Sequence, residues 1–119
     1  MSDVPSTRPR VYLAGPMAHG NRMVNIHNAL RLGQQMVHDG FAPYVPQLDA
    51  YMMWGPDDYE NLLDWDFAWV QVSDALFRMP GKSAGADREV AMAEAFGVPV
   101  FTDYDDLLEV GPQLKRPLL

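Results

Sequence analysis

The chain predicts an α/β domain of the flavodoxin or Rossmann-like kind, a three-layer sandwich with a parallel sheet of four or five strands. Three observations carry this. Short apolar runs alternate with longer segments of helical periodicity, which is the pattern that yields parallel strands joined by crossover helices. The turns that follow the runs are built from glycine, proline and small residues. The length of 119 residues suits one hydrophobic core and not two.

Val11-Tyr-Leu-Ala14 is the first apolar run, closed by Gly15-Pro16, and reads as a buried strand ending in a turn. Asn21 to Asp39 reads as the first helix, with Asn21 at its start, Gly40 as its stop, and an inner stripe of Met23, Ile26, Leu30 and Val37. Phe41–Val45 is the second strand, and Pro46 with Asp49 to Pro56 forms a long loop that carries Met52, Met53 and Trp54. Asp57 or Asp58 caps a second helix running to about Val70, with Leu62, Leu63 and Trp69 facing inward. Ala75–Met79 is the third strand, followed by the loop Pro80-Gly-Lys-Ser-Ala-Gly85 and a helix from about Ala86 to Phe96, stopped by Gly97. Val98–Phe101 is the fourth strand, with Pro99 marking its start, and Asp105 to Glu109 forms a last short helix. Residues 1–9 read as a flexible segment ahead of a single domain spanning 10–119.

Nine Lys and Arg stand against 16 Asp and Glu, a net charge of −7, so a long polyanion such as nucleic acid meets an unfavourable field. With no cysteine, disulfides, thiolate metal sites and thiol nucleophiles are excluded together. Met1–Arg10 lacks the apolar stretch of a signal peptide, and no run approaches a membrane span, so a soluble, cytoplasmic protein is expected. His19, His27 and His38 show no pair at metal-ligand spacing, and neither a metal nor a cofactor is implied.

In the strand order 2-1-3-4, ligands sit beyond the carboxyl ends of strands one and three, where the winding direction reverses. Those ends are Gly15-Pro-Met-Ala-His-Gly20 and Pro80–Gly85. The second loop runs into a helix, whose N–H groups and dipole favour an anion, with Ser83 supplying a hydroxyl and Lys82 and Arg88 local positive charge. Glu89 falls in the first turn of that helix by this reading, where a carboxylate is ordinarily a favourable surface charge and alternatively an ionised nucleophile or base. Asp64, Asp66 and Asp74 are the acids that could join it, since two carboxylates in one crevice can divide the work of glycosidic cleavage. Spacing alone leaves open which of them converge. Tyr12 on the first strand either packs beneath the crevice or projects its hydroxyl into it.

Taken together, Val11-Tyr-Leu-Ala-Gly-Pro-Met17, Asp66 with Asp74, and Ser83-Ala-Gly-Ala-Asp-Arg-Glu89 resemble the nucleoside 2-deoxyribosyltransferase superfamily, which includes 2'-deoxynucleoside 5'-phosphate N-hydrolases. The resemblance covers most of residues 11–101. It implies that Glu89 is a nucleophile on the anomeric carbon, that Tyr12 orients it, and that Asp66 assists protonation of the departing base, with Asp74 structural and Asp64 a weaker substitute for Asp66. It also implies that Ser83, six residues before Glu89, faces a 5'-phosphate, and that Gly15, Met17, His19, Gly20, Asn21, Arg22 and Gly85 bind substrate. The expected substrate is a small-molecule deoxynucleotide or deoxynucleoside, and the expected assembly is a homodimer or larger homo-oligomer. Hydrolysis is placed ahead of base transfer. A catalytically silent nucleotide-binding module is the competing class.

Overall fold

The structure, a computed structural model, describes residues 5–51, 55 and 57–114. Its strands are β1 (Arg10–Ala14), β2 (Ala42–Tyr44), β3 (Ala75–Arg78) and β4 (Val100–Phe101), and its helices are α1 (Arg22–His38), α2 (Tyr59–Val72), α3 (Ala84–Ala95) and α4 (Tyr104–Val110). 3₁₀ segments follow β2 at Pro46–Tyr51 and α4 at Gly111–Gln113. Met52, Met53 and Trp54 lie outside the described residues, as does the end of the chain from 115 onward.

All strand pairs are parallel, in the order β2-β1-β3-β4. The central strand β1 has neighbours on both edges, so its side chains alternate between two covered faces. Val11 and Leu13 join Ala75 and Phe77 on one face, where Met36 of α1 and Leu107 of α4 complete a core. Tyr12 and Ala14 join Leu76 on the other face, beneath Val70 of α2 and Ala86 and Ala93 of α3. Two helical layers and one sheet make the three-layer sandwich. Asp74 is built into the frame, since its carboxylate accepts the Arg10 N–H at 2.7 Å as β3 enters the sheet beside β1.

Two helical stripes differ from the sequence expectation. In α1 the buried residues are Ile26, Ala29, Gly33 and Met36, whereas Met23 and Val37 are exposed and Leu30 is largely so. The buried face is rotated by about 70° from the one that large apolar residues define. The reason is fit, because small residues at 29 and 33 let the helix approach the sheet closely. A Cβ at Gly33 would stand 3.0 Å from Val45 Cγ2 and 3.8 Å from Leu13 Cδ1. Gly33→Ala gains about 1 kcal/mol of helix propensity and is expected to be near neutral against that contact. Gly33→Leu is expected to destabilise by about 1–3 kcal/mol through overpacking, read from thermal melts. In α2 the buried residues are Leu63, Asp66 and Val70, while Trp69 is about half exposed and Leu62 lies at the edge.

In α1 and α2 the capping residues stand where the sequence placed them. Asn21 accepts the Val24 N–H, and Gly40 takes φ of +96° just past α1. Asp58 occupies the N-cap position of α2 without bonding into it; its carboxylate accepts the Gly55 N–H instead. The amino-terminal residues are tied down in part by Arg8, whose guanidinium donates to the Val37 and Phe41 carbonyls at 2.8 and 2.9 Å and so satisfies the end of α1.

At the same end of the domain the Tyr104 hydroxyl donates to Asp39 at 2.7 Å, and Gln35 donates to the same oxygen at 3.1 Å. The Tyr104 bond first, and the Gln35 bond second, hold the Asp39 carboxyl below its ordinary value. Partial burial, then the bond to Asp39, pushes Tyr104 above the ordinary tyrosine value. A depressed acid contributes stability that is present above its unfolded pKa of about 3.9 and is lost as pH falls below that. A raised tyrosine contributes stability that is present below about pH 10 and is lost as pH rises above it. Asp39→Asn is therefore expected to flatten the melting temperature profile on the acid side, below about pH 4, and Tyr104→Phe on the alkaline side, above about pH 10. Parallel profiles for variant and wild type in those windows are the contrary result.

Candidate active site

Tyr12 is fully buried on the face of β1 that α2 and α3 cover, so its hydroxyl requires a partner inside the protein. The partner is Glu89, whose Oε2 accepts a hydrogen bond from the Tyr12 hydroxyl. Glu89 reaches it because α3 turns the stripe Ala86, Glu89, Ala93 toward the sheet, and the two alanines bring the helix close. Asp66 occupies the corresponding middle position of the α2 stripe, between Leu63 and Val70. Two helices thus each bury a carboxylate where an apolar residue would pack better. Such burial costs stability unless the groups are engaged, which marks them as functional candidates.

The three groups form one electrostatic unit. Burial, then the charges of Glu89 and Asp66, push the Tyr12 hydroxyl far above the ordinary tyrosine range. Tyr12 therefore remains protonated and acts as a donor throughout the physiological range. Its ring is held by a stack of aromatic neighbours, Tyr44 at 5.4 Å between centroids and Trp69 at 5.3 Å beyond that. A fixed ring fixes the hydroxyl, and with it one oxygen of Glu89.

Glu89 and Asp66 open onto a cleft of about 340 Å³ at the β1 and β3 carboxyl ends. This is the crevice that the strand order anticipates. Gly15, Met17 and His19 line it from the β1–α1 loop, Ser83 and Gly85 from the start of α3, and Tyr59, Leu62 and Leu63 from α2. Of the residues singled out from the sequence, Gly20, Asn21 and Arg22 stand apart from this lining: Gly20 takes φ of +79° in the turn, Asn21 caps α1 and Arg22 is exposed. Asp64 faces the neighbouring groove between α2 and α3, not the cleft. Lys82 is exposed, and Arg88 lies over the Tyr59 ring at 5.9 Å on the outer side.

The start of α3 corrects one expectation. The helix begins at Ala84, two residues earlier than the sequence indicates, because Ser83 is its N-cap and accepts the Ala86 N–H at 3.1 Å. Glu89 therefore sits in the second turn, where the helix dipole contributes little, and its placement rests on Tyr12. As a capping acceptor, Ser83 still has its hydroxyl proton to donate toward the cleft. The loop before it is pinned by a glycine, since Gly81 takes φ of +114° and a Cβ there would come within 2.9 Å of Pro16. Only a glycine lets the two loops of the crevice approach this closely.

Sequence reasoning missed Gln47. It is 1% exposed in the turn after β2, lines the cleft, and its amide oxygen has no hydrogen-bond partner among the described residues. The available signal was position: a polar residue at the carboxyl end of a strand beside β1, set between apolar Val45 and Leu48. Among the described residues no group of three or more His, Cys, Asp or Glu side chains is placed to hold a metal ion, and no helix is long and apolar enough to cross a membrane.

The four-stranded parallel α/β fold has counterparts among solved structures. The fold is shared with a 2-deoxyribosyltransferase of the psychrotolerant bacterium Bacillus psychrosaccharolyticus, a biocatalyst for nucleoside synthesis, at 16% identity and a TM-score of 0.64 over 92% of this chain and 99% of that one. It is shared also with the 2-deoxyribosyltransferase of Leishmania mexicana, at 19% identity and a TM-score of 0.58 over 77% of this chain and 61% of that one. No protein-family model and no curated protein matches the chain.

Proposed function

We propose that the protein is an N-glycosidase or deoxyribosyl transferase of this fold class, cleaving the N-glycosidic bond of 2'-deoxynucleoside 5'-monophosphates with Glu89 as nucleophile. The observation that carries the reading is the buried Tyr12–Glu89 pair beside Asp66, opening onto the cleft. In this chemistry a Glu89 oxygen attacks the anomeric carbon as the bond from carbon to base nitrogen breaks, and the electron pair leaves with the base. Asp66 delivers the proton that the departing nitrogen takes up. Water, or an incoming base, then attacks the same carbon and releases the carboxylate of Glu89. The Tyr12 hydroxyl holds Oε2 throughout, which limits the carboxylate to one approach.

The nucleobase end of the cleft is assigned to Gln47, whose buried amide suits a heterocycle edge that presents both donors and acceptors. The phosphate end is assigned to Ser83, Gly85 and the first N–H groups of α3, flanked by Gly15, Met17 and His19. The same reading carries a cytoplasmic homo-oligomer, for which the exposed Trp69, Val72 and Phe96 offer apolar surface. Base transfer between free deoxynucleosides is the second reading, supported by the activity named for both structural neighbours.

Base release from a panel of 2'-deoxynucleoside 5'-monophosphates and free deoxynucleosides, followed by chromatography with and without an acceptor base, tests both. Release from monophosphates without retention of deoxyribose on the acceptor supports hydrolysis. Exchange on free nucleosides supports transfer, and binding without turnover points to a silent nucleotide-binding module.

A further inference from the structure

Arg78 is the last residue of β3 and an arginine within an otherwise apolar strand. In register it pairs with Ala14, which places its side chain on the face covered by α3. It is not part of the cleft lining, yet its side chain is largely buried and makes three hydrogen bonds. One nitrogen donates to the Met79 carbonyl, and the other donates to the Gly81 carbonyl at 2.9 Å and to Asp87 Oδ1 at 3.0 Å. One side chain thus spans both ends of the loop that leads to Ser83. It fixes Met79 and Gly81 on the entering side, and Asp87 in the first turn of α3 on the leaving side.

Two consequences follow for the cleft. The loop carbonyls at 79 and 81 are taken up by Arg78, so the loop is held with its Pro16 contact made and Ser83 set to cap α3. The charge of Asp87, an acid four residues after Ser83, is paired, which removes a repulsion that an anion at this helix start would otherwise meet.

Building on the monophosphate reading above, we propose that Arg78 is the positioning residue of the phosphate-side loop, holding Ser83 and the first turn of α3 for a 5'-monophosphate while never touching it. It is a specificity element, acting on the charged end of the substrate rather than on the glycosidic bond.

The test is steady-state kinetics of Arg78→Met, Arg78→Lys and Asp87→Asn with a 5'-monophosphate and the matching free deoxynucleoside, alongside amide hydrogen exchange at Ala86 and Asp87. Arg78→Met is expected to raise KM for the monophosphate about tenfold, with a much smaller change in kcat and in KM for the free nucleoside. Arg78→Lys is expected to recover part of that loss, because it keeps the charge facing Asp87 but not the forked contact. Asp87→Asn is expected to cost less than Arg78→Met, since the loop carbonyls stay bonded. Exchange at Ala86 and Asp87 is expected to quicken in Arg78→Met. An equal loss on both substrates, or a fall in melting temperature with KM and exchange unchanged, overturns the proposal. If the wild-type enzyme itself shows no preference for the monophosphate, the phosphate assignment fails on its own, and the exchange rates alone then decide whether Arg78 tethers the loop.

Discussion

Replacing Glu89 by Ala or Gln is expected to lower base release by at least about 10³-fold, because the nucleophilic carboxylate held by Tyr12 is removed. The two variants separate chemistry from folding. Glu89→Ala removes a buried carboxylate, which favours the fold, but leaves the buried Tyr12 hydroxyl without its acceptor, a cost of about 1–3 kcal/mol. Glu89→Gln keeps the volume and an acceptor oxygen for Tyr12, so its melting temperature is expected to stay near that of the wild type while its activity is equally lost. Substrate binding in Glu89→Gln should remain measurable by calorimetry. Wild-type turnover by Glu89→Gln would remove Glu89 from the reaction.

The strand order and both crevice loops were legible in the sequence because they follow from alternation and turn chemistry. Val11–Ala14 and Ala75–Phe77 are continuous apolar runs, as strands covered on both faces must be. Gly40 and Gly97 mark helix ends because each adopts a positive φ. What periodicity misread was depth. In α1, large residues pointed to a stripe, but helix-to-sheet distance is set by the small residues Ala29 and Gly33, which a hydrophobicity count passes over.

The acids follow a similar logic. Asp66 and Glu89 read as surface charges until the buried positions around them, Leu63 with Val70 and Ala86 with Ala93, reveal an i, i+3, i+7 stripe with a carboxylate in its middle. Helical patterning placed Glu89 in a first turn and invoked the helix dipole, whereas the structure supplies a hydroxyl from a neighbouring strand, the tyrosine that the family resemblance alone had pointed to. That contact joins residues 77 positions apart, so no local pattern can report it. Gln47 was invisible for a related reason: its burial depends on the cleft walls and not on its own neighbours in the chain.

Asp66→Asn is expected to lower kcat by about 10²- to 10³-fold on natural substrates, the usual worth of a positioned general acid, and the loss should depend on the leaving group. A deoxyribosyl substrate whose leaving group departs as a stable anion needs no proton, so on such a substrate Asp66→Asn should regain most of its rate. Glu89→Ala should stay inactive on both. Asp66→Leu adds a stability readout. It completes the apolar stripe between Leu63 and Val70 with a side chain of moderately larger size, and exchanging a buried ionisable group for an apolar one is often neutral or stabilising by about 1 kcal/mol or more. A protein that melts no lower than the wild type but turns over far more slowly would mean that Asp66 is kept in the core for the reaction and at the expense of the fold. A leaving-group-independent loss in Asp66→Asn would instead assign Asp66 to binding the base.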